Sequence, residues 1–158
     1  MTLLLAGCDD SKHVAPTQPA PQLSPRALDA QQQRLVAAYE PVSRAMTGYE
    51  LAFRGWLGGA VGDVSFRRQA IRFRAVVGTS LARVRRQRVT GGTATAKRLL
   101  LAGLDARRRA LDAIVAGDRA GYQRAWNRSL VDARRGLTKL QDLRDRARLI
   151  PLPEDSVS

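Results

Sequence analysis

Residues 25–57, PRALDAQQQRLVAAYEPVSRAMTGYELAFRGWL, place Leu28, Gln32, Leu35, Tyr39, Val42, Met46, Tyr49, Phe53 and Trp56 at alternating spacings of four and three. That repeat keeps the side chains on one face of a long helix at coiled-coil spacing. Ser24 and Pro25 suit an N-cap and the first helical position. Pro41 falls inside the run, so the helix is expected to kink or split near residues 37 to 41. Gly58, Gly59 and Gly62 then end it.

The same period recurs three times along the rest of the chain. A second helix is expected after Asp63 to about Arg88, burying Phe66, Ala70, Phe73, Val77, Leu81 and Val84. A third starts at Thr93 or Thr95, turns Leu100, Leu104, Leu111, Ile114 and Val115 inward, and stops at Gly117, a natural C′ residue. Asp118 caps a fourth helix, with Tyr122, Trp126, Leu130, Ala133, Leu137, Leu140 and Leu143 on its inner face and an end before Pro151. Nothing alternates with period two over a strand-length run. The fold class is therefore all-α, a four-helix up-down-up-down bundle over residues 25–150. A three-helix bundle stays open, because the short break at Gly117 and Asp118 also allows helices three and four to be one bent helix.

The chain has 158 residues, 44% of them hydrophobic, which suffices for one modest core. Its formal charge of +13 predicts attraction to polyanions. All but three of the 27 basic residues (Lys12, Lys97 and Lys139) are arginine, a skew that anion binding and a GC-rich genome explain equally well.

Few residues could carry catalysis. The only histidine, His13, and the only cysteine, Cys8, both precede the helices, so no Ser-His-Asp or Cys-His arrangement, thiolate zinc cluster or haem-attachment motif is available. Met46 sits at a core position rather than as an axial ligand. Asp63 and Asp118 are accounted for as helix caps, Asp105 and Arg109 as an exposed i, i+4 pair, and the glycine-rich stretches as turns. The aromatic residues all lie on inward stripes and read as core. No cofactor, metal or enzymatic activity is expected.

One feature rises above background. The second helix carries Arg67, Arg68, Arg72, Arg74, Arg83, Arg85, Arg86 and Arg88 with no acid after Asp63. At about 100° per residue, Arg68, Arg72, Arg83 and Arg86 form one flank and Arg67, Arg74 and Arg85 the other. Guanidinium groups at turn spacing take phosphate or carboxylate in bidentate fashion, which makes the first flank the candidate anion contact. The competing expectation is that acids of helices one and four neutralise it. Between the flanks, Ile71, Ala75, Gly78 and Ala82 form a stripe of small and apolar residues, suited to a neighbouring helix or a second copy of the chain.

At the start of the chain, Leu5, Ala6, Gly7 and Cys8 resemble the lipobox of bacterial lipoproteins. The resemblance covers these few residues alone. It implies that the Cys8 thiol is diacylated and that the modified cysteine becomes the first mature residue. Residues 1–8 then read as a truncated signal, shorter than a basic segment plus an apolar one, and a start upstream of Met1 is the matching expectation. Residues 9–24, with Pro16, Pro19 and Pro21, read as a semi-rigid linker, and residues 151–158 as a disordered tail.

Two functional readings follow. In one, the chain is a lipoprotein anchored through Cys8 on the extracytoplasmic side of a membrane, its basic bundle binding a partner protein or an anionic envelope polymer. In the other, Cys8 is incidental and a cytosolic bundle binds nucleic acid through the arginine-rich helix. A reading frame extending upstream of Met1 into a basic and then apolar segment separates them.

Overall fold

The computed structural model describes residues 24–149, and within them four helices follow one another: α1 Pro25–Leu57, α2 Asp63–Arg86, α3 Gly91–Val115 and α4 Arg119–Leu149. Cys8, His13, the linker as far as residue 23 and the tail after Leu149 lie outside the described residues.

Each helix boundary has a local cause. Ser24 caps α1, its hydroxyl accepting the Ala27 N–H at 3.2 Å. Pro41 lies inside α1 yet does not split it. Tyr39 and Val42 on either side are buried, so both halves are held to one core at the point where the proline removes a donor. Asp63 is not a cap: Gly62 occupies that position, and Asp63 is the first residue of α2, with its carboxylate taking the Trp56 indole N–H at 2.6 Å. α2 ends at Arg86 rather than Arg88. The Lys97 ammonium donates there to the carbonyls of Arg85 and Gln87 at 2.8 and 2.6 Å, closing the helix end. α3 begins at Gly91, earlier than Thr93 or Thr95, and Thr93 is fully buried within it.

The break between α3 and α4 decides the topology. Gly117 has φ +85°, a left-handed conformation that suits glycine, and Asp118 accepts the Gly121 N–H at 2.7 Å as an N-cap. The chain reverses, and α3 and α4 are separate antiparallel helices. Consecutive helices pack in turn, giving the up-down-up-down bundle. The α3–α4 contact is the most extensive. Its closeness depends on Gly103, since a Cβ there would lie 2.8 Å from the backbone nitrogen of Ala133.

Leu35, Val42, Val77, Val84, Leu100, Leu104 and Leu111 are fully buried. Each such side chain contributes roughly 1.5–3 kcal/mol of hydrophobic stabilisation. Two expected core residues are elsewhere, however: Leu130 and Leu137 of α4 are 43% and 38% exposed. Tyr122, Ala133 and Leu140 are buried as expected, and the places between them are taken by Ser129 and Gly136, small residues that with Ala133 let α3 come close. This rotation fits the close approaches of Gly103 to Ala133 and of Gly136 to Leu100, which leave no room for larger side chains on that face.

Helices α1 and α4 meet mainly at one end of the bundle. There Tyr49 packs on Trp126 with ring centroids 5.3 Å apart, and Phe53 on Tyr122 at 5.2 Å. At the other end the two helices are separated by an open groove lined by Val36 and Leu137.

Candidate anion-binding surface

Burial of Phe66, Ala70, Phe73, Val77, Leu81 and Val84 fixes how α2 is rotated. With that face inward, Arg68, Arg72, Arg83 and Arg86 all project into solvent. The stripe of Ile71, Ala75, Gly78 and Ala82 beside them also faces outward. Ile71 is 48% exposed, so none of the four described helices covers it. At 1.5 Å rise per residue the four arginines are spread along about 27 Å of helix.

The two arginine flanks differ in their partners. Arg74 contacts Asp112 at 2.5 Å and Arg85 approaches Asp105 at 3.7 Å, so the flank that includes Arg67 leans on α3. The neutralising acids therefore belong to α3, not to helices one and four, and they reach only this side. Asp105 is shared further, with Arg108 and Arg109 at 3.9 and 3.7 Å. These are long contacts between half-exposed groups, each contributing about 0–1 kcal/mol. Among the described residues, no acid lies within ion-pair range of Arg68, Arg72, Arg83 or Arg86. The Arg86 guanidinium donates through Nε to the Ala82 carbonyl at 3.3 Å, which leaves its remaining donors facing solvent.

What such a surface does chemically follows from its shape. Four always-charged guanidinium groups along one helix edge match a row of anionic groups on an extended chain better than a single phosphate. Among the described residues, no cluster of three or more His, Cys, Asp or Glu side chains could hold a metal ion.

No known protein family, curated protein or solved structure matches this chain.

Two features of the interior go beyond the sequence pattern, one a residue it missed and the other an assembly of residues it placed inward. Arg107 of α3 is buried at 1% exposure, with its guanidinium 5.4 Å from the Trp126 ring centroid. It falls on the inward face between Leu104 and Leu111, a position that an apolar-only stripe passes over. The second is a cluster of aromatic rings at the end where α1 meets α2 and α3 meets α4. Trp56 stacks on Phe66 at 4.6 Å, Tyr49 on Phe73 at 4.8 Å, and the Arg119 guanidinium lies 4.9 Å from the Trp56 ring centroid. Within the cluster the Tyr49 hydroxyl donates to that of Tyr122 at 3.4 Å. Burial, then this hydrogen bond, pushes the Tyr49 phenol far above its ordinary range. Burial likewise raises Tyr122, although accepting the bond from Tyr49 works in the other direction.

Proposed function

We propose that this chain is a bacterial lipoprotein, tethered through Cys8 on the extracytoplasmic side of the membrane, whose bundle holds a linear anionic polymer of the cell envelope on α2. The single observation that carries the binding role is the exposed row of Arg68, Arg72, Arg83 and Arg86, with no acid in range among the described residues. An anchored domain needs only modest affinity for such a polymer, since tethering raises its effective concentration at the surface. The resemblance of Leu5 to Cys8 to a lipobox, and the prolines of residues 9–24, support the placement. Among the described residues, no helix is long and apolar enough to cross a membrane.

The test has two arms. Expressed from its full reading frame in a bacterial host, the protein should partition into detergent as a lipidated species, and Cys8→Ala should move it to the aqueous phase. An Ala variant that fractionates like the parent removes the anchor. In the second arm, a fluorescently labelled heparin fragment should bind the parent and lose at least tenfold in affinity when Arg68, Arg72, Arg83 and Arg86 are all changed to Gln. Unchanged affinity removes the polymer site.

A further inference from the structure

At the aromatic end of the bundle, the end of α1, the first two turns of α2, the end of α3 and the α3–α4 turn with the start of α4 border a cleft of about 240 Å³. Its floor is apolar, made by Phe66 and Ala70 of α2 and by Ile114 and Val115 at the end of α3. Trp56 forms one wall, held in place from two directions: the ring stacks on Phe66 with an interplanar angle of 11°, and its N–H is taken by Asp63. Arg67 and Arg119 complete the lining.

The charges at this cleft are unequal. Two guanidinium groups stand against one carboxylate, and that carboxylate already accepts a hydrogen bond from Trp56. Arg67 belongs to the flank of α2 whose other members, Arg74 and Arg85, meet acids of α3. Among the described residues, neither Arg67 nor Arg119 has an acid within ion-pair range. An apolar floor with a few convergent polar groups is the usual composition of a small-molecule site. The volume lies below the roughly 300–1,000 Å³ of pockets for drug-sized ligands, which is too small for a nucleotide or a sugar chain. One surplus positive charge matches a monoanion.

We propose that this cleft binds a small monocarboxylate with a compact apolar body, the body resting on Ile114, Val115 and Phe66 and the carboxylate held between Arg67 and Arg119. Charge-assisted hydrogen bonds from guanidinium to carboxylate fix its orientation, and the apolar floor excludes strongly hydrated anions such as phosphate. The site is separate from the outer arginine row on α2 and does not depend on its role.

Isoleucine methyl NMR of the full chain tests this directly, because Ile114 lines the cleft while Ile71 lies on the outer face of α2. Titration with benzoate should shift the Ile114 δ1 methyl signal saturably and leave Ile71 in place. Benzamide, the neutral analogue, should bind at least tenfold more weakly. Arg67→Gln with Arg119→Gln should also weaken benzoate at least tenfold, whereas Arg83→Gln should not. Because both cleft arginines are exposed, the double variant should keep the fold, which an unchanged Ile71 signal verifies. Lack of saturation with benzoate, equal binding of benzamide, or full affinity in the double variant each overturns the proposal.

Discussion

Arg107 donates through Nη1 to the Tyr39 hydroxyl at 3.2 Å, and no carboxylate shares this buried bond among the described residues. Its Nε has no hydrogen-bond partner among the described residues. A permanently charged group thus sits inside the bundle with one neutral acceptor and the face of Trp126 for company. Removing such a charge from water costs several kcal/mol. The hydrogen bond returns about 1.5–3 kcal/mol and the cation–π contact about 2, so the arrangement roughly breaks even.

A long apolar side chain at this position should therefore do better. Arg107→Met keeps most of the packing, removes the desolvation cost and is expected to stabilise the fold by about 1 kcal/mol or more. Tyr39→Phe, which strips the guanidinium of its acceptor, should cost about 1–3 kcal/mol. Urea denaturation of the three proteins decides this, and an Arg107→Met protein less stable than the parent contradicts it.

The α3–α4 contact makes a second prediction. Gly103→Ala pushes a methyl group to 2.8 Å from the Ala133 nitrogen, where backbone must move, and should cost about 1–3 kcal/mol. Gly48, inside α1, has nothing within 4 Å of the same added atom. Gly48→Ala should accordingly stabilise by about 0.5–1 kcal/mol, through helix propensity alone. Opposite shifts in thermal midpoint are the expected result; shifts of the same sign place the tight contact elsewhere.

The buried phenols give the fold a particular alkaline limit. Tyr49 and Tyr122 are raised above the ordinary value of 10.0, so the folded state keeps their protons where the unfolded chain releases them. Their contribution is fully present below pH 10 and is lost as the pH rises beyond it, at up to about 1.4 kcal/mol per pH unit for each phenol. Denaturation midpoints should fall between pH 10 and 11.5 and change little between pH 7 and 9 on their account. Tyr49→Phe should make the alkaline fall shallower, and an unchanged slope contradicts the assignment.

Much of the fold was legible because the apolar period of α1 and α2 is carried by large side chains. Phe66, Phe73, Val77 and Tyr49 are buried where the pattern puts them. On α4 the pattern places Tyr122, Ala133 and Leu140 correctly but puts Leu130 and Leu137 where Ser129 and Gly136 are buried, residues whose small size matters only once α3 approaches. Hydropathy does not weigh a missing side chain. Arg107 escaped for the converse reason, since an arginine is read as solvated unless a partner on another helix is known. The basic row of α2 was readable as a one-sided set, but not that Asp105 and Asp112 of α3 would take only the opposite flank. Those pairings join residues distant in sequence, and no local spacing encodes them. The cleft at Trp56 was hidden likewise, because it is assembled from one turn and all four helices.

The most direct measurement of the central claim is the salt dependence of heparin binding. Each charge contact with a dense linear polyanion contributes about 0.9 to the slope of log K against log salt on duplex DNA, and a value of that order should hold for a sulfated polymer. Changing Arg68, Arg72, Arg83 and Arg86 to Gln should reduce the slope by roughly three to four. Changing Arg74 and Arg85, which face Asp112 and Asp105, should leave it nearly unchanged. A slope that survives the fourfold change, or that falls equally in the paired-flank control, contradicts a binding edge on α2.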